Sequence, residues 1–358
     1  EGLDVLAART GVNLSQSIAY VSNVTTAGIT PQLGNPLKPF ATINDAITAV
    51  STNSIVKVLG GTYTEGVIIN KNNITLDISS CEITGYIRYD GDNIFVNATN
   101  AFITGNGTDA TLQSGASTQS KFVLDGGTWD GSIRRSIDIF SSDQGFFIKN
   151  ATFKSATATT PGFESFSANG YFYNCEFIYT GSIVSAFNIQ NGKTTFDSCK
   201  IEAPLVAITS TDAETHIINK TNILAQKCYL MAQVGVRINK LLIDNSFLKS
   251  TNLGGLNSNA GLEIAYNCDE VKITNSTIIG GANCIGFKNV NRLATTNYIL
   301  QNNIYYCDSA RNIFIGTFNP ADLGTCEVLG GTFNKAPLTL STVNISTTSL
   351  TVTGLQEI

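Results

Sequence analysis

Five polar residues interrupt short apolar alternations in this chain. They are Asp138 in SIDIF, Glu164 in GFESF, Asn188 in AFNIQ, Arg237 in GVRIN and Glu263 in LEIAY. Alternation with period two points each of them out of a strand, away from its apolar neighbours. Two carboxylates on adjacent stacked strands stand about 5 Å apart. That is close to the roughly 5–5.5 Å kept by the nucleophile and general acid that break a glycosidic bond with retention. Asp138 and Glu164 are therefore the candidate catalytic pair. Asn188, Arg237 and Glu263 are candidate substrate contacts. The densest charged stretch is WDGSIRRSIDIFSSD, 129–143, in which Arg134 or Arg135 could meet an acidic sugar. A plainer reading stands beside this one: these are solvated residues of a strand face, and Arg237 with Glu263 is an ion pair across rungs worth under about 1 kcal/mol.

Other chemistry has less to draw on. His216 is the only histidine, so a Ser-His-Asp triad could form only around it. The eight cysteines include no CxxC pair, which argues against zinc. No cluster of three Asp residues recurs at a regular spacing, which argues against calcium-assisted elimination. No metal and no cofactor are expected. Tyr171, Tyr173 and Tyr179 could stack on a sugar ring, and Phe140 and Phe166 lie near the polar stretch. Most phenylalanines at alternating positions read as core.

A repeat supplies the strands that must position these residues. The chain reads KVLGGTYTEG at 57–66, KFVLDGGTWDG at 121–131 and CEVLGGTFNK at 326–335. These are members of a longer series, closed by the large residues Tyr63, Ile83, Ile103, Trp129, Phe153, Phe177, Ile201, Ile223, Leu248, Ile278, Ile304 and Phe333. The anchors lie 20 to 30 residues apart. Such a period indicates a solenoid. Before each anchor runs an alternating segment rich in Ile, Val, Phe, Tyr and Thr, so the unit contributes strands. Asn, Asp and Gly fall at the bends, where positive φ or side-chain-to-backbone bonds are needed. The expected fold is all-β: a single-stranded right-handed parallel β-helix of about twelve coils. Two residues before the anchor stand Gly61, Cys81, Ala101, Gly127, Ala151, Cys175, Cys199 and Ser246, all small, as a crowded inward corner requires. That column accounts for three cysteines as core residues rather than disulfide partners.

A solenoid end exposes apolar surface and must be capped. Phe40, Ile43, Ile47 and Val50 share one helical face of PFATINDAITAV, 39–50, and Thr42 with Asp45 resembles a capping box. An N-terminal capping helix is expected there.

YVSN at 20–23, NPLKPFATINDAI at 35–47 and VKVLGGTYTE at 56–65 together resemble the opening of pectate-lyase-like right-handed β-helix proteins. In that superfamily a short first strand precedes a P-x-x-P-[FY]-x-T-I-x-x-A-I helix and a V-x-V-x-x-G-x-Y-x-E coil. The similarity is specific over about residues 20–70 and rests on coil pattern beyond. It implies a carbohydrate ligand, and it spans secreted polysaccharide lyases, glycoside hydrolases and bacteriophage tailspikes. It does not fix the reaction.

The expected organisation is 1–19 as a helix or stalk junction, 20–53 as first strand and capping helix, 54–336 as β-helix, and 337–358 as C-terminal strands. EGLDVLAARTG, at the start, resembles the junction between a tail-fibre stalk and its head. The last segment either closes the solenoid or is where three chains meet. The chain begins with Glu1, which suggests a processed chain or a fragment. Only 14% of residues are charged and the net charge is −5, which argues against nucleic-acid or anionic-membrane partners. The favoured expectation is a virion tailspike or tail-fibre head that binds, and conceivably cleaves, a host surface polysaccharide. It would be a homotrimer joined to other tail proteins through its N-terminal side. A secreted bacterial lyase or hydrolase and a non-catalytic adhesive solenoid remain the alternatives.

Overall fold

The computed structural model describes residues 17–24, 29–115, 121–139, 142–166, 168–182, 185–190, 192–211, 215–231, 237–251, 260–264, 267–281, 283–289, 296–307, 311–317, 323–334, 338–340 and 350–357. The expected helix over 1–11 and Phe140 lie outside them. The described residues fall into two compact units, one within Glu1–Ala156 and Ser167–Asn169, the other within Thr157–Phe166 and Gly170–Ile358.

Each unit is built from parallel strands that pair with their counterparts on the next rung. In the first unit the register runs Tyr63, Ile83, Ile103, Trp129, Phe153. In the second it runs Phe177, Ile201, Ile223, Leu248, Ile278, Tyr305, Phe333. The strands make an all-β, right-handed-type parallel solenoid of about nine turns, not the twelve coils that the anchors suggest. An anchor marks a rung on one face. Strands Gly61–Ile69 and Cys81–Tyr89 each run unbroken for nine residues.

One anchor is also displaced. Tyr305, 1% exposed, takes the inward place, and Ile304 faces outward at 44%. The cause is the bend. Every rung carries a left-handed residue three positions before its anchor, among them Ser80, Asn150, Asn174, Lys220, Asn245 and Asn275. In QNNIYY an anchor at Ile304 would put that conformation on Gln301, where asparagine is the easier residue. The backbone uses Asn302, at φ 53°, which turns Asn303 inward and Ile304 outward. The Gly-Gly pairs have the same origin. Gly60–Gly61, Gly126–Gly127 and Gly330–Gly331 hold two successive positive φ values, where other rungs need one. At Gly331 a Cβ would stand 2.3 Å from the Asn303 carbonyl oxygen.

The inward corner after the bend is small and, in the second unit, linked by hydrogen bonds. The turn leaves one backbone N–H per rung without a sheet partner, and the next rung supplies an oxygen. The Cys199 N–H donates to Thr221 Oγ1 at 3.3 Å, that of Thr221 to Ser246 Oγ at 3.2 Å, and that of Ser246 to Ser276 Oγ at 3.1 Å. The Ser276 N–H ends the series on Asn303 Oδ1 at 2.9 Å. All eight cysteines are buried and none forms a disulfide. Beside this ladder sits an aromatic core. Phe172, Phe177, Phe187 and Phe196 are mutually packed, with every pair of ring centroids 5.2 to 6.0 Å apart.

Segment 39–50 contains a seven-residue helix, Ile43–Ala49, whose Ile43, Ala46 and Ile47 are buried. Thr42 Oγ1 accepts the Asp45 N–H at 3.0 Å. The Glu65 carboxylate takes the N–H groups of Ile43 and Asn44, at 2.9 and 3.2 Å. The Asn44 amide donates to the Gly66 carbonyl and accepts from the Ile68 N–H. One side chain thus satisfies two backbone groups of the strand Gly61–Ile69, as an adjoining strand would. The Glu that follows Tyr63 by two residues therefore has a structural task at the helix terminus. At the other end, 338–340 and 350–357 are strands paired to the preceding rungs.

Candidate functional site

The expected site residues divide between the two units. In the first, Asp138 lies on the strand Ile137–Ile139 and its Oδ2 accepts a bond from Arg135 Nη1 at 3.0 Å. The register aligns Asp138 with Gln113, and Gln113 with Arg88. Three successive rungs thus present Arg88, Gln113 and Asp138 in one column, with Arg88 paired to Asp90 at 2.7 Å. Arg88 and Gln113 are legible in YIRYD and TLQSG once the alternation is carried back two rungs. Arg134 is exposed but committed, its Nε donating to the Gly107 carbonyl at 2.8 Å.

In the second unit, Glu164 and Asn188 are neighbours on adjacent rungs, and Asn188 Nδ2 donates to Glu164 Oε1 at 2.8 Å. Glu164 is 4% exposed and Glu263 is 6% exposed, so neither is the solvent-facing acid that the alternation suggests. Of the expected Arg237–Glu263 pair, the Arg237 side chain lies outside the described residues. Glu263 aligns with Leu230 and binds Lys227 Nζ at 2.8 Å, whereas Arg237 aligns with Asn267. Tyr179 is buried and its hydroxyl donates to the Thr157 carbonyl at 2.7 Å, which removes it from the sugar-stacking candidates. Tyr171 and Tyr173 do face solvent. Phe166 aligns with Gln190.

The second unit carries an open trough of about 420 Å³. It is formed by two outward columns of one face. The first runs Tyr171, Thr195, Ile217, Leu242, Lys272, and the second Asp197, Asn219, Asp244, Thr274. Four rung intervals give it a length of about 19 Å at about 4.8 Å each. Thr195 is the small residue that leaves the depression beside the Tyr171 ring. The Tyr171 hydroxyl donates to Asp197 Oδ2 at 2.9 Å, and Asn219 Nδ2 donates to Asp197 Oδ1 at 3.1 Å. Partial burial, and then the bond to Asp197, raise the Tyr171 pKa. Burial pushes the Asp244 carboxyl up. The hydrogen bonds from Thr274, Asn275 and Asn245 outweigh it, so the net shift is downward. Lys272 closes the far end and is exposed. The trough therefore offers an aromatic face, two carboxylates, an amide, a hydroxyl and one ammonium. That inventory can exchange hydrogen bonds with a polyhydroxylated ligand lying along the rungs. Its Asp244 carboxyl is held toward the ionised form by the three hydrogen bonds it accepts.

His216 is buried with its Nε2 2.7 Å from Ser210 Oγ, and burial lowers its pKa to about 4. This pair lies in the packed interior. Among the described residues no group of three or more His, Cys, Asp or Glu is arranged to hold a metal ion. Among the described residues no helix is long and apolar enough to cross a membrane.

Fold and site together define a parallel β-solenoid with an open trough of mixed apolar and polar lining on one face. No protein-family model matches the chain, and no curated protein matches it.

Proposed function

We propose that this chain is a glycan-binding β-solenoid of the pectate-lyase-like kind, and that it serves as the tailspike or tail-fibre head with which a bacteriophage attaches to a host surface polysaccharide. The observation that carries the reading is the trough headed by Tyr171, open along its length and lined by groups that both donate and accept hydrogen bonds. An open trough suits a long chain molecule, which must enter sideways and leave again. The sequence resemblance over residues 20–70 supports the same ligand class. On this reading the protein acts in the virion tail at the cell surface, as a homotrimer joined to other tail proteins through its N-terminal side.

Binding is favoured over cleavage by the burial of Glu164. The secreted lyase or hydrolase is the second reading, and it would need the Asp138 and Glu164 carboxylates. The test is titration of bacterial surface polysaccharides against the wild type, Tyr171→Ala and Lys272→Ala, with reducing ends and unsaturated sugars assayed in parallel. Saturable binding that Tyr171→Ala weakens at least tenfold, with no new ends, is the expected result. Release of sugar ends that Asp138→Asn with Glu164→Gln abolishes would transfer the function to the second reading. Binding by no polysaccharide would overturn both.

A further inference from the structure

The second unit also carries an apolar stripe on the face that bears its anchors. The apolar outward positions there are Ile178, Leu224, Phe247, Ile279, Ile304 and Tyr306, which share the two outward columns with Glu176, Lys200, Glu202, Asn222, Lys249 and Thr277. Register places Phe247 one rung from Thr277 and two from Ile304, and Lys249 one rung from Ile279 and two from Tyr306. Leu224 pairs with Lys249, diagonal to Phe247. Leu224, Phe247, Ile304 and Tyr306 are 37, 38, 44 and 47% exposed. Four large apolar side chains open to water on neighbouring rungs are more than the scattered exposure of an ordinary surface. Sheet faces of this kind are flat, and Leu224 and Phe247 also line a depression of about 500 Å³ with Lys200, Glu202 and Lys249.

The charges around the stripe indicate what covers it. Lys200 is shared between Glu176 and Glu202, at 2.9 and 2.8 Å, which leaves an acidic surplus at that end. Lys249, beyond Leu224, has no ion-pair partner among the described residues. A face made for a strongly acidic or basic partner would carry one sign. This one carries both, separated along its length, and so matches a copy of itself. We infer that the stripe is a contact between copies of this chain, with apolar residues at its centre and Glu202 and Lys249 of different copies drawn together at its margin. This contact does not rest on the glycan reading, since the trough lies on another face.

The experiment is light scattering on the wild type and on Phe247→Glu with Ile304→Glu. Both positions point outward, and a thermal melt within a few degrees of wild type verifies folding. The expected result is a wild-type mass of two or more chains that falls to 38.1 kDa in the double variant. Glu202→Lys alone should weaken the assembly, and Glu202→Lys with Lys249→Glu should restore it. If the double variant melts far below wild type, the charge pair decides alone. A monomeric wild type, or an oligomer untouched by these changes, would overturn the inference. So would weakened polysaccharide binding in Phe247→Glu at unchanged mass, which would make the stripe a ligand surface. Mass is the readout here and polysaccharide affinity the readout for the trough, so either idea can fail alone.

Discussion

The hydroxyl of Ser246 accepts the backbone N–H of Thr221 at 3.2 Å and donates its own O–H to the Asp244 carbonyl at 2.8 Å. It is one link in a buried series from Cys199 to Asn303. Ser246→Ala leaves the Thr221 N–H buried and unsatisfied, which costs about 1–3 kcal/mol. Denaturant unfolding should show that loss. A fall below about 0.5 kcal/mol would mean that water replaces the hydroxyl.

The left-handed bends predict substitutions of opposite sign. Lys220, at φ 46°, carries a Cβ where glycine or asparagine is easier. Lys220→Gly should stabilise by about 0.5–1 kcal/mol. Asn245→Ala, at φ 48°, should destabilise by about 1 kcal/mol or more. Melting temperatures of the two variants moving in the same direction would contradict this account.

The buried His216 makes stability depend on pH. Its folded pKa is lowered to about 4, against about 6.5 in the unfolded chain. Between these values the unfolded state binds the extra proton. The contribution is full above pH 6.5 and drains away as pH falls toward 4, amounting to roughly 3 kcal/mol. His216→Gln should flatten the unfolding free energy over that window. An unchanged slope would show that other groups carry it.

The thiols should be silent in the native protein. All eight cysteines are buried, and burial pushes Cys81 up to about 11 and Cys228 up to about 12. A thiol-reactive disulfide reagent should label them at the rate of unfolding, and all eight together only in denaturant. Rapid labelling of one thiol under native conditions would locate an opening in the solenoid.

The aromatic core predicts the largest single loss. Phe187 touches Phe163, Phe172, Phe177 and Phe196, so Phe187→Ala opens a cavity shared by four rings. The expected cost is about 3–5 kcal/mol, read by denaturant titration.

The rungs were legible because each repeats one steric demand: a left-handed residue, then a small one, then a large apolar anchor three residues after the bend. An anchor at Ile304 would have put the bend on Gln301; the backbone bends at Asn302, so the anchor is Tyr305. The inward cysteines followed from the same logic. The site was less legible. Asp197 and Asp244 sit in DSC and DNS, where they read as turn formers, and Tyr171 and Lys272 lie 101 residues apart. Only the register sets them along one face. The burial of Glu164 had no local signal, since nothing in GFESF distinguishes a covered strand face from an open one.

The recurrent bend also bears on how such a chain can change length. Ser80 and Asn100 have the same backbone twist and are each followed by a small inward residue, Cys81 and Ala101. Excising 81–100 would join Ser80 to Ala101 and leave every remaining strand facing the partner type it already has. Duplicating that segment would add a storey in the same way. The reach of the molecule can thus be edited in whole storeys, by recombination between equivalent bends, while a trough many residues downstream keeps its lining intact.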